Sequence, residues 1–357
     1  MGPQDFLAFG FGPLVLLIAY IAAYGAGAAW SGLLKRVIKY LLLMASLMGI
    51  LGFLQVADVP GARQFASSLT GNKTIVDIPD WKVPRAIGIF HAWHAYASYM
   101  ALCLIISVAF LAYGVSLFRS RWILPACSLC ISMGLISSMT FGMIGLGAAG
   151  AGYLLLKNRK FQAFFLGCVL VVIGVGASSI TGILSERLSR QETVTTEYSF
   201  LPQTVAFRVV VWTRDYLPLI SDNPWIGYGP IRESDRVFAY VESMYLLVLV
   251  TTGIVGFIAF LILLANMVIG LSRRIRETSA ESNAVVFVSG RAILVFLIGL
   301  VGMMLIHPYL NDAGSSELLV VLVGIMMGAE FLPDRPSSIR SGGTDSVEIP
   351  DVSRTRN

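Results

Sequence analysis

Arginine side chains in two distant segments are the residues of this sequence best suited to bind an anion. Arg85 ends a polar loop and is followed by Gly88 and aromatic residues, while Arg208 precedes Trp212 in a second, longer loop. A guanidinium group is a natural partner of phosphate because its planar fork donates to two oxygens at once. The alternative for either arginine is that it anchors a helix end in lipid headgroups. Two such arginines, each beside glycine and aromatic residues, favour an anion site.

Two histidines follow the first arginine. His91 and His94 have helical spacing, so they share a face if a helix has already begun there. A metal site would need further ligands, and His307, the third histidine of the chain, lies far along the sequence. The favoured interpretation is therefore a pair of interfacial polar residues, and we expect no metal.

The elements that must position these residues are membrane helices. Hydrophobic residues make up 56% of the 357, charged residues 13%, and the mean hydropathy is +0.76. Runs of about 20 apolar residues recur, long enough to cross a hydrocarbon core, and they lack the alternation of a membrane β-barrel. The sequence predicts an all-α, polytopic integral membrane protein with nine spans: 5–29, 37–57, 86–118, 122–138, 141–156, 161–183, 237–270, 288–306 and 318–332.

Basic residues orient this topology. One side carries 16 of the 26 Lys and Arg residues, and the other carries ten, all in two long loops that weigh little in orientation. We expect the richer side to be cytoplasmic, which puts the N-terminus and the loops 58–85 and 184–236 outside. The transmembrane domain is predicted at 1–332. The polar tail 333–357 is predicted to be a disordered cytoplasmic segment because it has little to bury.

Four segments, in order along the chain, resemble the O-antigen ligase and polymerase superfamily of bacterial inner-membrane glycan enzymes. Residues 85–94 resemble its R-x-x-G-x-F segment at the outer end of a span, and residues 135–145 resemble its hairpin with a Ser/Thr-rich tip. Residues 208–229 resemble R-x-x-x-W followed by P-x-x-G-x-G, and residues 242–256 resemble its return helix.

The resemblance implies a GT-C-like architecture and a metal-independent, inverting glycosyltransferase with no cofactor. Its donor would be a polyprenyl-diphosphate-linked oligosaccharide at the outer face of the bacterial cytoplasmic (inner) membrane. Besides this donor and membrane lipid, a chain-length regulator protein is an expected partner, and nucleic acid is not. Carried over by position, Arg85 and Arg208 would hold the diphosphate, where fixed cations stabilise the charge that gathers on the leaving group.

The resemblance also singles out Glu242. Ligases of this family have a histidine near the start of the return helix, and Glu242 stands in the corresponding stretch. A carboxylate could take the acceptor's proton as general base, so Glu242 is the candidate catalytic residue. The alternative is a salt bridge to a loop arginine such as Arg236. His94, Arg214 and Tyr245 are secondary candidates.

The leading prediction is a polymerase that joins repeat units of exopolysaccharide or O-antigen. A ligase of the same fold is the nearest alternative, less supported because that histidine is missing. From another class, a transporter or flippase of lipid-linked sugars would use the arginines as substrate ligands. It should carry ionisable residues deep in its spans, whereas charge is scarce within these spans. The family usually has ten or more spans and a cytoplasmic N-terminus, so this chain is either a shorter member or lacks a preceding helix.

Overall fold

The computed structural model describes residues 3–71, 75–76, 85–156, 203–229, 242–278, 281, 283–311 and 314–329. Within these ranges the regular secondary structure is entirely helical. The helices are α1 (Pro3–Ala29), α2 (Leu33–Val56), α3 (Ala62–Thr70), α4 (Trp93–Tyr113), α5 (Ile123–Ser137), α6 (Phe141–Leu156), α7 (Gln203–Val211), α8 (Leu217–Asp222), α9 (Met244–Glu277), α10 (Ala284–Met303) and α11 (Ser315–Gly328). A π-helical turn, Trp212–Tyr216, joins α7 to α8, and a 3-10 helix, Tyr309–Asn311, precedes α11.

Four of these helices, α2, α4, α9 and α10, are long and apolar enough to cross a membrane. Shorter apolar helices occupy α5, α6, residues 14–29 of α1 and residues 316–328 of α11. The all-helical class is confirmed for the described residues, and the apolar helices indicate a membrane protein. The count of nine spans stays a prediction. Its sixth span, 161–183, and the tail 333–357 lie outside the described residues.

Helix α4 is the centre of the bundle. Almost all of it is buried, and it packs against α2, α5, α6 and α10. Its sequence is apolar on every face, as expected for a helix surrounded by other helices. Helix α9 is just as apolar but mostly exposed at the periphery, and such a surface suits contact with lipid tails. Helix α1 packs chiefly along α11.

The third span, predicted at about 86–118 and expected to include an interfacial turn, contains the shorter helix α4, which begins at Trp93 and ends at Tyr113. Residues 85–92 instead form an irregular segment with a turn at Gly88, whose φ is +58°. That conformation suits glycine, and contacts with α2 hold the turn in place. The predicted loop 58–85 also contains helix α3.

The seventh span is likewise predicted at about 237–270 with an interfacial turn, whereas α9 begins at Met244 after the extended Ser243 and continues to Glu277. At its far end Arg273 and Glu277 pair across one turn, with 2.8 Å between Nε and Oε1. Such a pair stabilises the helical turns after residue 270, which are polar. A prediction based on runs of apolar residues leaves these turns out.

The bundle has two chemically different ends. At the end we call the basic end, α2, α5 and α10 begin and α4, α6, α9 and α11 end. Arg291 of α10 donates there to the Tyr113 hydroxyl of α4 at 2.7 Å. The opposite end is called the site end. Described cations concentrate at the basic end: Lys35, Arg36, Lys39, Arg119, Arg121, Arg273, Arg274, Arg276 and Arg291. All nine belong to the set that the sequence assigns to the cytoplasmic side.

Candidate functional site

The turn that carries Arg85 is fastened to the site end by its backbone. The N–H of Ala86 donates to the carbonyl of Ser137, the last residue of α5, at 2.9 Å. The Arg85 guanidinium carbon lies 5.0 Å from the centre of the Trp93 ring, in cation–π geometry. Arg85 therefore stands above the first residue of α4, at the mouth of the bundle.

Gln55, near the end of α2, fixes the same turn. Its Oε1 accepts hydrogen bonds from the N–H groups of Ile87 and Gly88, at 3.1 and 2.9 Å. Its Nε2 donates to the Gly88 carbonyl at 2.9 Å. The side chain is buried, so these bonds replace the water that its amide would otherwise bind. Sequence reasoning missed Gln55, and the only available signal was a lone amide at the end of an apolar run.

Arg208 and Glu242, predicted from separate segments, form an ion pair. Arg208 lies on α7, and its Nε is 2.5 Å from Oε2 of Glu242, which precedes α9. The Nε–H does not point at the carboxylate, so the contact is ionic and leaves this donor without a hydrogen-bond partner in the described chain. The side chains are 23% and 38% exposed. Glu242 thus pairs with an arginine, as the alternative hypothesis predicted, and its partner is Arg208. Arg236 lies outside the described residues.

His94 lies close enough to both arginines for their charges to reach it. The positive charges of Arg85 and Arg208 both act on its imidazole. The ring of His94 stacks on that of His307, with centroids 3.8 Å apart and planes inclined by 26°. His307 in turn meets Tyr309 edge to face at 4.6 Å. The structure therefore brings together Arg85, His94, Arg208 and Glu242, and it adds two residues from the segment after α10.

Several polar atoms at this end are buried without a hydrogen-bond partner in the described residues. They are Nε1 of Trp93, Nδ1 of His94 and Nε1 of Trp212. Trp212 follows Arg208 by one turn and packs against the start of α9. A buried polar atom with no partner costs about 1–3 kcal/mol, and an indole N–H can only donate. A ligand that supplies acceptor oxygens would satisfy the two indole N–H donors.

A backbone junction fixes the α7–α8 arm to α9. Helix α9 is interrupted at Gly253, whose φ of +65° and ψ of −167° lie outside the helical region. The N–H groups of Tyr228 and Gly229 donate to Val250 and Thr251, both at 2.8 Å, on the first side of the break. On the other side, the N–H groups of residues 254 and 255 donate to the carbonyls of residues 224 and 225, at 2.7 and 3.3 Å.

Glycine is required at this junction. A Cβ on Gly253 would stand 2.3 Å from the carbonyl carbon of Trp225, and one on Gly227 would stand 2.6 Å from the Val250 carbonyl oxygen. Both distances are far below van der Waals contact and both neighbours are backbone atoms. The close approach holds the arm that carries Arg208 beside the helix that follows Glu242.

Two secondary candidates take other partners. Arg214 is exposed and grips its neighbour Asp215, with Nε 2.7 Å from Oδ1 and Nη2 3.0 Å from Oδ2. Hydrogen bonding to this guanidinium lowers the pKa of the Asp215 carboxyl. The Tyr245 hydroxyl donates to the carbonyl of Val301 at 2.6 Å, which ties α9 to α10. These contacts do not join either residue to the Arg208–Glu242 pair.

The described residues contain no group of three or more His, Cys, Asp or Glu side chains that could hold a metal ion. A scan against protein-family models found no match, and neither did a search of curated proteins. The family resemblance therefore rests on the four segments of the sequence.

Proposed function

We propose that this chain is a glycosyltransferase of the bacterial cytoplasmic membrane that polymerises glycan repeat units carried on polyprenyl diphosphate. The observation that carries the proposal is the placement of Arg85 over Trp93, whose ring lies 5.2 Å from that of His94, together with the Arg208–Glu242 pair at the same end, although 122 residues separate the two arginines in the sequence. Arg85, Arg208 and the two indole N–H donors lie at the site end of an apolar bundle, where a lipid-anchored anion can arrive from the membrane.

The reaction needs a site that favours charge on the leaving group. When the bond between the anomeric carbon and the diphosphate oxygen breaks, its electron pair goes to the diphosphate. Arg85 and Arg208 stabilise the charge on the diphosphate more strongly in the transition state than in the bound donor. This difference lowers the barrier. The indole N–H groups of Trp93 and Trp212 are additional donors without partners in the described chain.

Glu242 has two roles in this proposal. Before the donor binds, its carboxylate neutralises Arg208 at a distance of 2.5 Å. The diphosphate then competes for the guanidinium, and the released carboxylate takes the proton of the acceptor hydroxyl. The acceptor oxygen bonds to the anomeric carbon from the face opposite the diphosphate, so the configuration inverts.

The polymerase proposal is tested with purified protein and a synthetic polyprenyl-diphosphate oligosaccharide. We expect a ladder of longer lipid-linked glycans with release of polyprenyl diphosphate, and no ladder with Arg208→Lys. Arg273→Lys is the matched control, because Arg273 is exposed at the basic end and pairs with Glu277. A donor that crosses the bilayer of proteoliposomes unchanged, without any ladder, would show a transporter instead.

The site end is proposed to face outward, in agreement with the distribution of Lys and Arg. Ser221 on α8 and Ser120 between α4 and α5 are exposed at opposite ends. In a variant without other cysteines, Ser221→Cys should react with an impermeant thiol reagent in intact cells, and Ser120→Cys only after lysis. The reverse pattern would place the proposed site in the cytoplasm, where no outer-leaflet donor could reach it.

A ligase is the second candidate, and the stacked histidines favour it. The sequence lacks the ligase histidine at the start of the return helix, yet His94 and His307 approach the same end through other segments. A ligase would move finished glycan from the diphosphate carrier to a different acceptor. Glycan that leaves the carrier without growing in length would identify this activity.

A further inference from the structure

Arg291 lies inside the apolar helix α10 rather than at its end. It stands seven residues after the start of α10, about 10 Å along the helix axis. Its Nη1 donates to the Tyr113 hydroxyl at 2.7 Å, and its guanidinium carbon lies 4.5 Å from the centre of the Phe287 ring. These contacts orient the group but do not neutralise it. No carboxylate of the described residues forms an ion pair with Arg291.

The Arg291 side chain lines a cavity of about 340 Å³ between α6, α9 and α10 at the basic end. Arg276, in the last turn of α9, lines the same cavity, and it too has no carboxylate partner among the described residues. Tyr153 and Ser272 add hydroxyl groups, while Ile275 and Leu294 provide apolar wall. The neighbouring Arg273 differs, because Glu277 already neutralises it.

The polar and apolar walls are arranged along the helix axes. Arg276 and Tyr153 lie in the last turns of α9 and α6, near the surface of the bundle, while Leu294 lies deeper, beyond Arg291 on α10. A positive charge inside an apolar layer is costly unless an anion accompanies it. A phosphate beside two arginines, with apolar chains running inward, matches this order of groups.

We infer that the cavity bounded by Arg276 and Arg291 is a binding site for a phospholipid with a net negative headgroup. Its phosphate would lie between the two guanidinium groups, and its acyl chains would lie against Leu294 and the neighbouring apolar wall. Cationic pockets between membrane helices are suited to such headgroups. The inference requires the helices to span a bilayer but does not depend on glycan transfer at the opposite end.

The test is lipid binding by the purified full-length protein, measured as dissociation constants for phosphatidylglycerol and for zwitterionic phosphatidylcholine. We expect phosphatidylglycerol to bind more tightly. Arg276→Gln and Arg291→Gln should each weaken it about 10-fold, the effect of losing a charge-assisted hydrogen bond. Arg273→Gln removes the same charge from the same end and should change the constant less than about 2-fold.

Three results would overturn the inference: equal weakening by all three substitutions, equal binding of both lipids, or saturation of the site by inorganic phosphate at the same concentration. The first would mean general attraction to a basic surface, and the last a site for a soluble anion. If Arg291→Gln does not fold, Arg276→Gln and Arg291→Lys decide. Arg276 is exposed, and lysine keeps the positive charge, so Arg291→Lys should retain most of the binding that Arg276→Gln loses.

Discussion

Arg208 at the site end and Arg291 at the basic end of the bundle have different partners. At the site end, Arg208 lies 2.5 Å from an oxygen of Glu242, so the chain itself supplies an anion. At the basic end, Arg291 has a phenol oxygen and an aromatic face, but no carboxylate among the described residues. An anion that binds Arg208 must therefore displace the Glu242 carboxylate. An anion that binds Arg291 displaces no carboxylate of the described residues. A site that exchanges anions can couple binding to the release of a base.

The largest expected effect comes from the cation that takes part in this exchange. Arg208→Lys should reduce glycan transfer about 100-fold, because lysine keeps the charge but loses the planar fork, and loss of one such donor costs about that much. Arg85→Lys should behave in the same way. Transfer assays at equal protein level measure this, with Arg273→Lys as control. Transfer by either variant within about 3-fold of the unaltered protein would make that arginine a membrane anchor only.

Removal of the competing acid separates binding from chemistry. Glu242→Gln should lower transfer about 100-fold, since an amide does not accept the acceptor's proton. Donor binding should be kept or become a few-fold tighter, because the diphosphate no longer competes with a carboxylate for Arg208. Donor affinity and transfer are measured on the same preparation. Asp222→Asn, which neutralises an exposed acid at the site end, is the matched control.

Normal transfer by Glu242→Gln would remove that residue from the mechanism and leave the arginines to act alone. Weaker donor binding would have another meaning: the Arg208–Glu242 contact would then be structural, and exchange would not occur at this end.

A smaller effect should follow from loosening the turn below Arg85. Gln55→Leu removes three hydrogen bonds to residues 87 and 88 without adding charge, so Arg85 should be less well positioned. We expect donor affinity to fall about 10-fold, with some loss of stability from the unsatisfied backbone groups. Ser46→Ala is the control, because Ser46 is also buried on α2 but donates only within its own helix, to Leu42. Equal losses of affinity in both variants would contradict a positioning role.

The smallest effect should come from Arg214. Its guanidinium is exposed and held by Asp215, so Arg214→Gln should change transfer less than about 2-fold and leave the melting temperature almost unchanged. The same transfer assay and a thermal melt measure these changes. A loss as large as that of Arg208→Lys would mean that the anion site extends along the whole α7–α8 arm.

Sequence patterns predict the ends of a helix well where the residues near those ends determine them. The predicted span 141–156 matches α6, and 122–138 differs from α5 by one residue at each end. The start of α4 was not predictable in this way, because the turn at Gly88 depends on Gln55, more than 30 residues earlier. An amide at the end of an apolar run has many possible partners, and only the packed structure selects one.

The candidate site also has features that local sequence predicts and features that only the packed structure determines. Side-chain chemistry made Arg85 and Arg208 candidates for an anion site, and the family resemblance added Glu242. Their pairing was not predictable, because any of several loop arginines could have met Glu242. His307 lies far from His94 along the chain, yet the two rings stack. The segment after α10 returns to the same end as the start of α4, a consequence of topology rather than of local sequence.

The interruption at Gly253 also constrains the order in which this protein can assemble. The part of α9 before the break, residues 244–252, is only about 13 Å long and ends in carbonyl groups that lipid cannot satisfy. The groups that satisfy two of these carbonyls belong to residues 228 and 229, which leave the ribosome before α9 does. The bend is therefore stable only once the earlier segment has docked against α9. The kink of α9 and the final position of the arm that carries Arg208 are coupled in this way.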